Sequence, residues 1–156
     1  MKDNRFRTFL LVISVIAFCY HSFHLFYLWS EIPIQIPIHF SNDTPDNWGS
    51  KYFLLLMPVI GLLISFLIGL LAKKPEKLNY VNLTEENKRT QFSRTKKVLQ
   101  LIQSLNFLSF ILANEGMLRY SVGLDSTIPF TIAIVLLGIC LVAPITLLFW
   151  AATLKY

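Results

Sequence analysis

Four apolar stretches separated by polar segments account for most of the chain. They cover about residues 8–30, 52–72, 98–118 and 128–154. A transmembrane helix needs roughly 20 apolar residues to cross a hydrocarbon layer of about 30 Å, and each stretch reaches that length. The pattern predicts an all-α, polytopic membrane protein with four transmembrane helices, folded as a single membrane domain over residues 1–156.

Lys and Arg residues are concentrated in two of the segments outside the apolar stretches. The amino-terminal tail carries three and the segment 73–97 carries eight, whereas the segment 31–51 carries one. Because basic segments remain on the cytoplasmic side of a membrane, this asymmetry predicts that both termini are cytoplasmic. We therefore expect a multi-pass protein of the cell membrane, with residues 31–51 as an external loop and residues 73–97 as a cytoplasmic joint.

Composition narrows the possible function classes. The chain is 54% hydrophobic, which exceeds ordinary soluble usage, and its net charge of +5 lies mainly in the polar segments. That placement favours membrane orientation over nucleic-acid binding. Cys19 and Cys140 lie inside apolar stretches, and the sequence contains no recognisable nucleotide-binding loop or catalytic triad order. We expect a non-enzymatic protein without a cofactor, with the lipid bilayer as a partner and no nucleic-acid partner.

Two apolar stretches carry patterns that favour helix–helix contacts. Gly61, Ser65 and Gly69 recur every four residues in the second stretch, a spacing that allows another helix to approach closely. In the third stretch, five polar residues fall within an arc of about 120° and are expected to face the bundle interior. They are Gln100, Gln103, Ser104, Asn114 and Glu115. Asn106 and Ser109 lie off this arc, so we expect them to bond locally or to meet a neighbouring helix.

The titratable residues of the apolar stretches collect near the external loop. His21 and His24 lie three positions apart near the end of the first stretch, and Glu115 and Arg119 lie four positions apart near the end of the third. The i, i+4 spacing predicts an ion pair between Glu115 and Arg119. His21, His24 and His39 are weak candidates for a metal site, which their spacing alone does not establish.

The external loop combines branched apolar residues with prolines. The alternation at residues 32–40 excludes a helix, disfavours a central strand and predicts an extended segment. Turn-forming residues follow at 41–47, after which Trp48 and Lys51 lead back to the membrane. We expect this apolar segment to fold over the helix ends as a lid or to lie in the membrane interface.

The cytoplasmic joint contains a helix start. Thr84 is a residue type that caps helices, and Glu85 and Glu86 favour the first turn through the helix dipole. A helix that begins here is expected to run without a break into the third apolar stretch.

Several residues of the external loop form a recognisable motif. Ile36-Pro37-Ile38-His39-Phe40, Pro45-Asp46 and Trp48-Gly49-Ser50-Lys51, followed by Pro58, resemble the bacterial membrane family called domain of unknown function 1648. The resemblance covers about residues 8–97. Where the family usually has a glycine in this loop, the chain has Asn42-Asp43-Thr44. The family includes the amino-terminal part of Sdp-type toxin-immunity proteins, so the resemblance implies a bacterial immunity or receptor role toward an extracellular peptide.

The preferred hypothesis is a non-enzymatic membrane protein that binds a peptide or lipid-like ligand through the external loop and the adjoining helix ends. The candidate contact residues are Ile36, Pro37, His39, Phe40, Asp46, Trp48, Lys51, Glu115 and Arg119. The second hypothesis is a transport or envelope-assembly accessory subunit, in which the polar face of the third helix lines a path or docks a membrane protein partner. The third is a metal-dependent membrane enzyme.

Overall fold

A computed structural model describes the chain at residues 2–41 and 44–154. The helices are α1 (Lys2–Tyr27), α2 (Phe53–Lys73), α3 (Lys88–Ser121) and α4 (Thr127–Ala152), and the strands are β1 (Gln35–Ser41) and β2 (Thr44–Ser50). A 3₁₀ turn at Pro75–Lys77 follows α2. Asn42 and Asp43, which belong to the turn predicted at residues 41–47, lie outside the described residues.

The helices form a bundle in which α3 is central, since α1, α2 and α4 all pack against it. The strands lie at the end of the bundle where α1 and α3 finish and where α2 and α4 begin, which we call the hairpin end. The segment between α2 and α3 lies at the opposite end, which we call the joint end. Every helix therefore runs from one end of the bundle to the other.

Within the described residues, three helices are long and apolar enough to cross a membrane. They are Arg5–Tyr27 in α1, Phe53–Lys73 and Thr127–Ala152. The predicted span at residues 98–118 lies in α3, which does not belong to this set, so the predicted count of four is not confirmed. The amides and the carboxylate of α3 lower its hydropathy, and the same polar groups are largely enclosed by the three apolar helices.

The prediction of an all-α chain needs a correction, because β1 and β2 pair as an antiparallel hairpin. Ile36 lies opposite Gly49 and Pro37 opposite Trp48, and the register is irregular around His39. The extended conformation of this segment was predictable from its prolines, whereas the pairing was not. A two-stranded ribbon has only edge strands, where a proline without an N–H group is tolerated.

The hairpin is held to the bundle by an apolar cluster beneath it. Ile36 and Leu54 are fully buried, and they pack with five further buried residues of the hairpin end. These are Leu25, Leu28, Ile32, Met117 and Leu118. Fully burying a side chain of this size stabilises a protein by about 1.5–3 kcal/mol. The cluster therefore fixes β1 against α1, α2 and α3 as a cap on the helix ends.

The small residues of α2 lie against α3. A Cβ atom at Gly61 would approach the Cβ of Phe110 to 2.8 Å, and one at Gly69 would approach Nε2 of Gln103 to 2.7 Å. Between them, the hydroxyl of Ser65 donates a hydrogen bond to the Gln103 carbonyl oxygen at 3.1 Å. The ridge of small residues thus allows α2 and α3 to pack closely along their length.

Helix α3 runs unbroken from the joint to the hairpin end, as the sequence predicts, but it begins at Lys88. The predicted cap at Thr84 is wrong, because Asn87 is at the N-cap position and Glu85 and Glu86 precede the first turn. Thr84 and Asn87 satisfy each other's backbone N–H groups at its start, with Oγ1 of Thr84 accepting from Asn87 at 3.3 Å. At ~1.5 Å per residue, 34 residues extend about 51 Å, well beyond a hydrocarbon layer of about 30 Å. One end of α3 therefore projects into the joint.

Candidate functional site

Glu115 is the centre of a hydrogen-bonded cluster between α1 and α3. Its carboxylate is 2% exposed and accepts from Nδ1 of His21 at 2.8 Å and from Nδ1 of His24 at 2.7 Å. Nε of Arg119 donates to the same carboxylate at 2.8 Å, so the predicted Glu115–Arg119 ion pair is present. The cluster joins a carboxylate that is shielded from solvent to a guanidinium that is partly exposed.

The helical spacing of these residues explains why they meet. His21 and His24 are three positions apart and share one face of α1, while Glu115 and Arg119 are four positions apart and share one face of α3. Both pairs lie near the hairpin end of their helices. The packing of α1 on α3 turns the two faces toward each other, which the separate patterns did not specify.

Asn114 connects the cluster to α2 and determines which nitrogen of His21 carries the hydrogen. Its Nδ2 donates to the backbone oxygen of Leu54 at 2.7 Å and lies 2.7 Å from Nε2 of His21. The backbone oxygen of Leu54 can only accept a hydrogen bond, so the amide nitrogen of Asn114, and not its oxygen, must face it. The same nitrogen therefore donates its second hydrogen to Nε2 of His21, which acts as an acceptor. The remaining nitrogen, Nδ1, carries the hydrogen that reaches Glu115.

Arg119 extends the cluster toward the surface. Its Nη2 donates to the hydroxyl of Tyr20 at 2.9 Å, and its Nη1 donates to the backbone oxygen of Asp125 at 3.5 Å. The guanidinium thus ties the end of α3 to α1 and to the connection before α4. Its charge is opposite that of Glu115, which lowers the cost of enclosing the carboxylate.

A second polar group lies on the exposed hairpin. The Asp46 carboxylate accepts from the Ser41 hydroxyl and from Nδ1 of His39. The hydrogen bond from Ser41, and after it the one from His39, lowers the pKa of Asp46 below its ordinary value of 3.8. These three side chains join β1 to β2 near His39, where the pairing of the two strands is irregular.

Lys51 fastens the end of the hairpin to the end of α1. Its Nζ donates to the backbone oxygen of Trp29 at 3.1 Å and lies 4.6 Å from the centre of the Trp29 ring. Trp29 also contacts Tyr52 with ring centroids 5.8 Å apart. The charge of Lys51 is therefore engaged in closing the loop.

A cavity of about 510 Å³ lies between the hairpin and the beginning of α4. Phe40 of β1 forms part of its wall, and its ring meets Tyr120 at 5.0 Å and Phe130 at 5.7 Å between centroids. The other lining residues are Ser126, Thr127, Thr131 and Ile134. The cavity combines aromatic walls with four hydroxyl groups, that of Tyr120 included, and no charged residue of the described chain lines it.

The structure places the predicted contact residues in different surroundings. His39, Asp46 and Trp48 are exposed on the hairpin, and Phe40 is half-buried at the cavity. Ile36 and Pro37 are buried in the core, and Glu115 and Arg119 form the cluster beneath. Any role of the buried residues in binding is therefore to hold the hairpin in place.

Several residues of this end were not predicted from the sequence to belong to a site. Tyr120 and Phe130 line the cavity, and Tyr20 holds Arg119, although an aromatic residue in an apolar stretch carries no pattern that distinguishes it from others. Asn114 belonged to the predicted polar face, and its position beside Glu115 was the available clue to its role.

The three histidines do not converge on one point. His21 and His24 contact Glu115, whereas His39 lies on the hairpin with Asp46. Among the described residues, no group of three His, Cys, Asp or Glu side chains has an arrangement that could hold a metal ion.

Residues 9–62 match the family described as Domain of unknown function (DUF1648). The match confirms the predicted resemblance over most of α1, the hairpin and the first half of α2. It ends before the joint, so the predicted continuation to residue 97 is not part of it. No curated protein and no solved structure matches the chain.

Proposed function

We propose that this is a non-enzymatic integral membrane protein that binds an apolar peptide segment or a lipid-like molecule at its hairpin end. The observation that carries the proposal is the cavity of about 510 Å³ beneath Phe40. Its volume lies within the range of about 300–1,000 Å³ that is usual for ligand sites. It opens beside a hairpin that is anchored firmly enough to form a permanent wall.

The lining favours an uncharged, largely apolar ligand. Phe40, Tyr120 and Phe130 offer aromatic surface, and the hydroxyls of Ser126 and Thr131 offer hydrogen bonds without charge. A strongly charged ligand would lose its hydration at these walls without gaining an opposite charge. An apolar peptide with a few backbone polar groups, or an amphiphile with an uncharged head, satisfies both kinds of contact.

In this proposal, the Glu115 cluster has a structural role at the hairpin end. It cross-links α1 and α3 immediately below the hairpin, and Asn114 adds α2 to the same network. The cavity is lined by β1, by α3 and by the beginning of α4, so the cluster acts on it indirectly, by fixing the end of α3 against the ends of α1 and α2 on which the hairpin packs. The buried charges are thus assigned to positioning the site.

The proposal includes a membrane topology with four spans and both termini in the cytoplasm of a bacterial cell. The burial of Asn106, Ser109, Asn114 and Glu115 against the apolar helices supports α3 as the fourth span, because these costly groups do not have to face lipid. The basic residues of the joint support a cytoplasmic joint end. The hairpin is then external, and an immunity or receptor role toward an extracellular peptide is one form of the proposed activity.

Cysteine labelling tests the topology. In a chain with Cys19 and Cys140 replaced by alanine, a membrane-impermeant maleimide should label Ser41→Cys in intact cells. It should label Ser93→Cys only after the cells are opened. Both positions are exposed, so access to the reagent depends on the side of the membrane. The reverse pattern would place the hairpin inside and remove the proposed binding site from the outer surface.

Photo-crosslinking tests the cavity. A crosslinking amino acid at Thr131, inside the cavity, should capture a discrete peptide or amphiphile in cells, and Phe40→Ala should abolish that adduct. Thr146, an exposed threonine farther along α4, is the matched control and should capture only bulk membrane lipid. Identical adducts at both threonines would overturn the binding function.

A further inference from the structure

A cleft at the joint end of the bundle is built from three helices and is independent of the hairpin. Its outer part is a cavity of about 350 Å³, and its deeper part is a cavity of about 280 Å³. The two cavities adjoin, since Arg7, Gln100 and Gln103 line both of them. The cleft lies between α1, α2 and α3.

The two parts of the cleft differ sharply in chemistry. The outer part is lined by the cations Arg7, Lys73 and Lys96, which come from three different helices. The deeper part is lined mainly by apolar side chains. They are Leu11, Val15, Phe18, Leu62 and Phe107. A basic opening that leads into an apolar groove complements a molecule with an anionic head and a hydrocarbon tail.

The positive charges of the opening have no acidic partner among the side chains that the structure describes. Among the described residues, Arg7, Lys73 and Lys96 form no ion pair, and no Asp or Glu lines either cavity. A basic segment that only sets the membrane orientation requires nearby cations but no shared cavity. The three cations converge on one cavity, which membrane orientation alone does not explain. We therefore expect an anion to bind there.

Two amides stand at the boundary between the basic and apolar parts. In the described part of the chain, only the backbone oxygens of Gln100 and Gln103 accept hydrogen bonds, from Ser104 and Ser65, while both side chains line the cleft. Gly69 leaves the space that the Gln103 amide occupies, since a Cβ there would lie 2.7 Å from Nε2. Their amide N–H groups are available to donate hydrogen bonds to a molecule in the cleft.

The depth of the cleft agrees with one leaflet of a bilayer. Arg7 and Phe18 are eleven positions apart on α1, which corresponds to about 16 Å along a helix. Half of a hydrocarbon layer of about 30 Å is about 15 Å. A headgroup at Arg7 would thus place its acyl chain along the apolar groove at the depth normal for a membrane lipid.

We propose that this cleft is a binding site for one anionic phospholipid of the leaflet on the joint side. Its phosphate lies among Arg7, Lys73 and Lys96, the two glutamines contact the glycerol region, and one acyl chain lies along Leu11 to Phe18. The site is distinct from the hairpin-end cavity and does not depend on the ligand proposed there.

Native mass spectrometry of the full chain in detergent tests the proposal. Dipalmitoyl phosphatidylglycerol should be retained as a one-to-one adduct, whereas dipalmitoyl phosphatidylcholine should be retained far less. Arg7→Gln combined with Lys73→Gln should weaken retention of the anionic lipid roughly 30-fold, which corresponds to about 2 kcal/mol at about 1 kcal/mol per cation.

The matched control variant is Lys74→Gln combined with Lys77→Gln. It removes the same charge from exposed positions of the same joint that do not line the cleft. Retention by this variant should be close to that of the unmodified chain. Equal losses in both variants would show diffuse attraction to the basic joint and would overturn a defined site.

Competition between different lipids can be measured on the unmodified chain, so the outcome does not depend on whether a variant folds. Glycerol 3-phosphate should compete weakly with dipalmitoyl phosphatidylglycerol, and the dihexanoyl form should compete at an intermediate level, because the groove holds the tail. Competition by glycerol 3-phosphate equal to that of the long-chain lipid would indicate a phosphate site and overturn the lipid site. Equal retention of the choline and glycerol lipids would overturn the role of charge.

Discussion

Replacing Glu115 with glutamine tests the physical account of the buried cluster most directly. The substitution keeps the shape of the side chain but replaces one acceptor oxygen with an NH₂ group. Glu115 accepts from three donors, with His21 at Oε2 and with His24 and Arg119 at Oε1. In either orientation, a glutamine at this position would therefore point its NH₂ group at a histidine or arginine N–H that is itself a donor.

The structure shows why the donors cannot all adapt. His24 can move its hydrogen to the other ring nitrogen and accept from the amide. His21 cannot, because its Nε2 already accepts from Asn114. If the amide nitrogen faces His21, two N–H groups oppose each other in a buried position. If it faces the other side, it opposes Nε of Arg119.

The cost follows from the hydrogen bonds lost. A hydrogen bond to a charged group is worth about 1.5–3 kcal/mol, and a buried unpaired donor costs about 1–3 kcal/mol. The Arg119 side chain is 30% exposed and can recover some hydration. We therefore expect Glu115→Gln to reduce the free energy of unfolding by about 3 kcal/mol, toward the lower end of the range for breaking a buried charge pair.

Unfolding of the purified chain in mixed detergent micelles of increasing dodecyl sulfate fraction measures this difference. Glu86→Gln is the matched control, because Glu86 is exposed in the joint and makes no described contact. The control should stay within about 0.5 kcal/mol of the unmodified chain, as is usual for surface substitutions. Equal unfolding midpoints for the two variants would refute the argument that the cluster holds α1 to α3.

Three other substitutions have outcomes that follow from the structure. Gly61→Val should lower the unfolding midpoint in the same assay, since even a Cβ would lie 2.8 Å from Phe110, whereas Gly138→Val, with nothing within 4 Å of a Cβ, should not. Ile36→Ala should lower the free energy of unfolding by about 3 kcal/mol, because the side chain is fully buried beneath the hairpin. Asp46 should stabilise the hairpin above pH 3.8 and lose that effect as the pH falls through its lowered pKa, so Asp46→Asn should remove this acid-dependent change in hairpin NMR shifts.

The sequence predicted those features that depend on local periodicity. The three most apolar helices, the unbroken course of α3 from the joint and the close packing at Gly61 follow from composition and spacing along single segments. Asn106 and Ser109 also behave as expected, with Asn106 reaching Ser65 on α2 and Ser109 bonding locally to the Asn106 carbonyl.

The features that were not predicted depend on how distant segments are oriented. Prolines ruled out a helix at residues 35–41 but could not say which strand would pair with it, since pairing is a property of both strands. Similarly, spacing placed two histidines on one face of α1, but their contact with Glu115 requires a particular rotation of α1 against α3. The sequence pattern of a single helix carries no information about how that helix is rotated against its neighbour.

The position of α3 links the stability of the bundle to both proposed sites. A helix with this many amides and charges is costly in lipid, so it belongs where other helices supply partners for its polar groups. Near the middle Ser65 supplies one, and at the hairpin end His21 and His24 supply others. At the joint end Gln100 and Gln103 face a cleft in place of a partner. Among the described residues, the one fully buried side-chain atom without a partner is Oδ1 of Asn114 at the hairpin end, whereas the amides of Gln100 and Gln103 are partly exposed in the cleft, where the proposed anionic lipid can contact them.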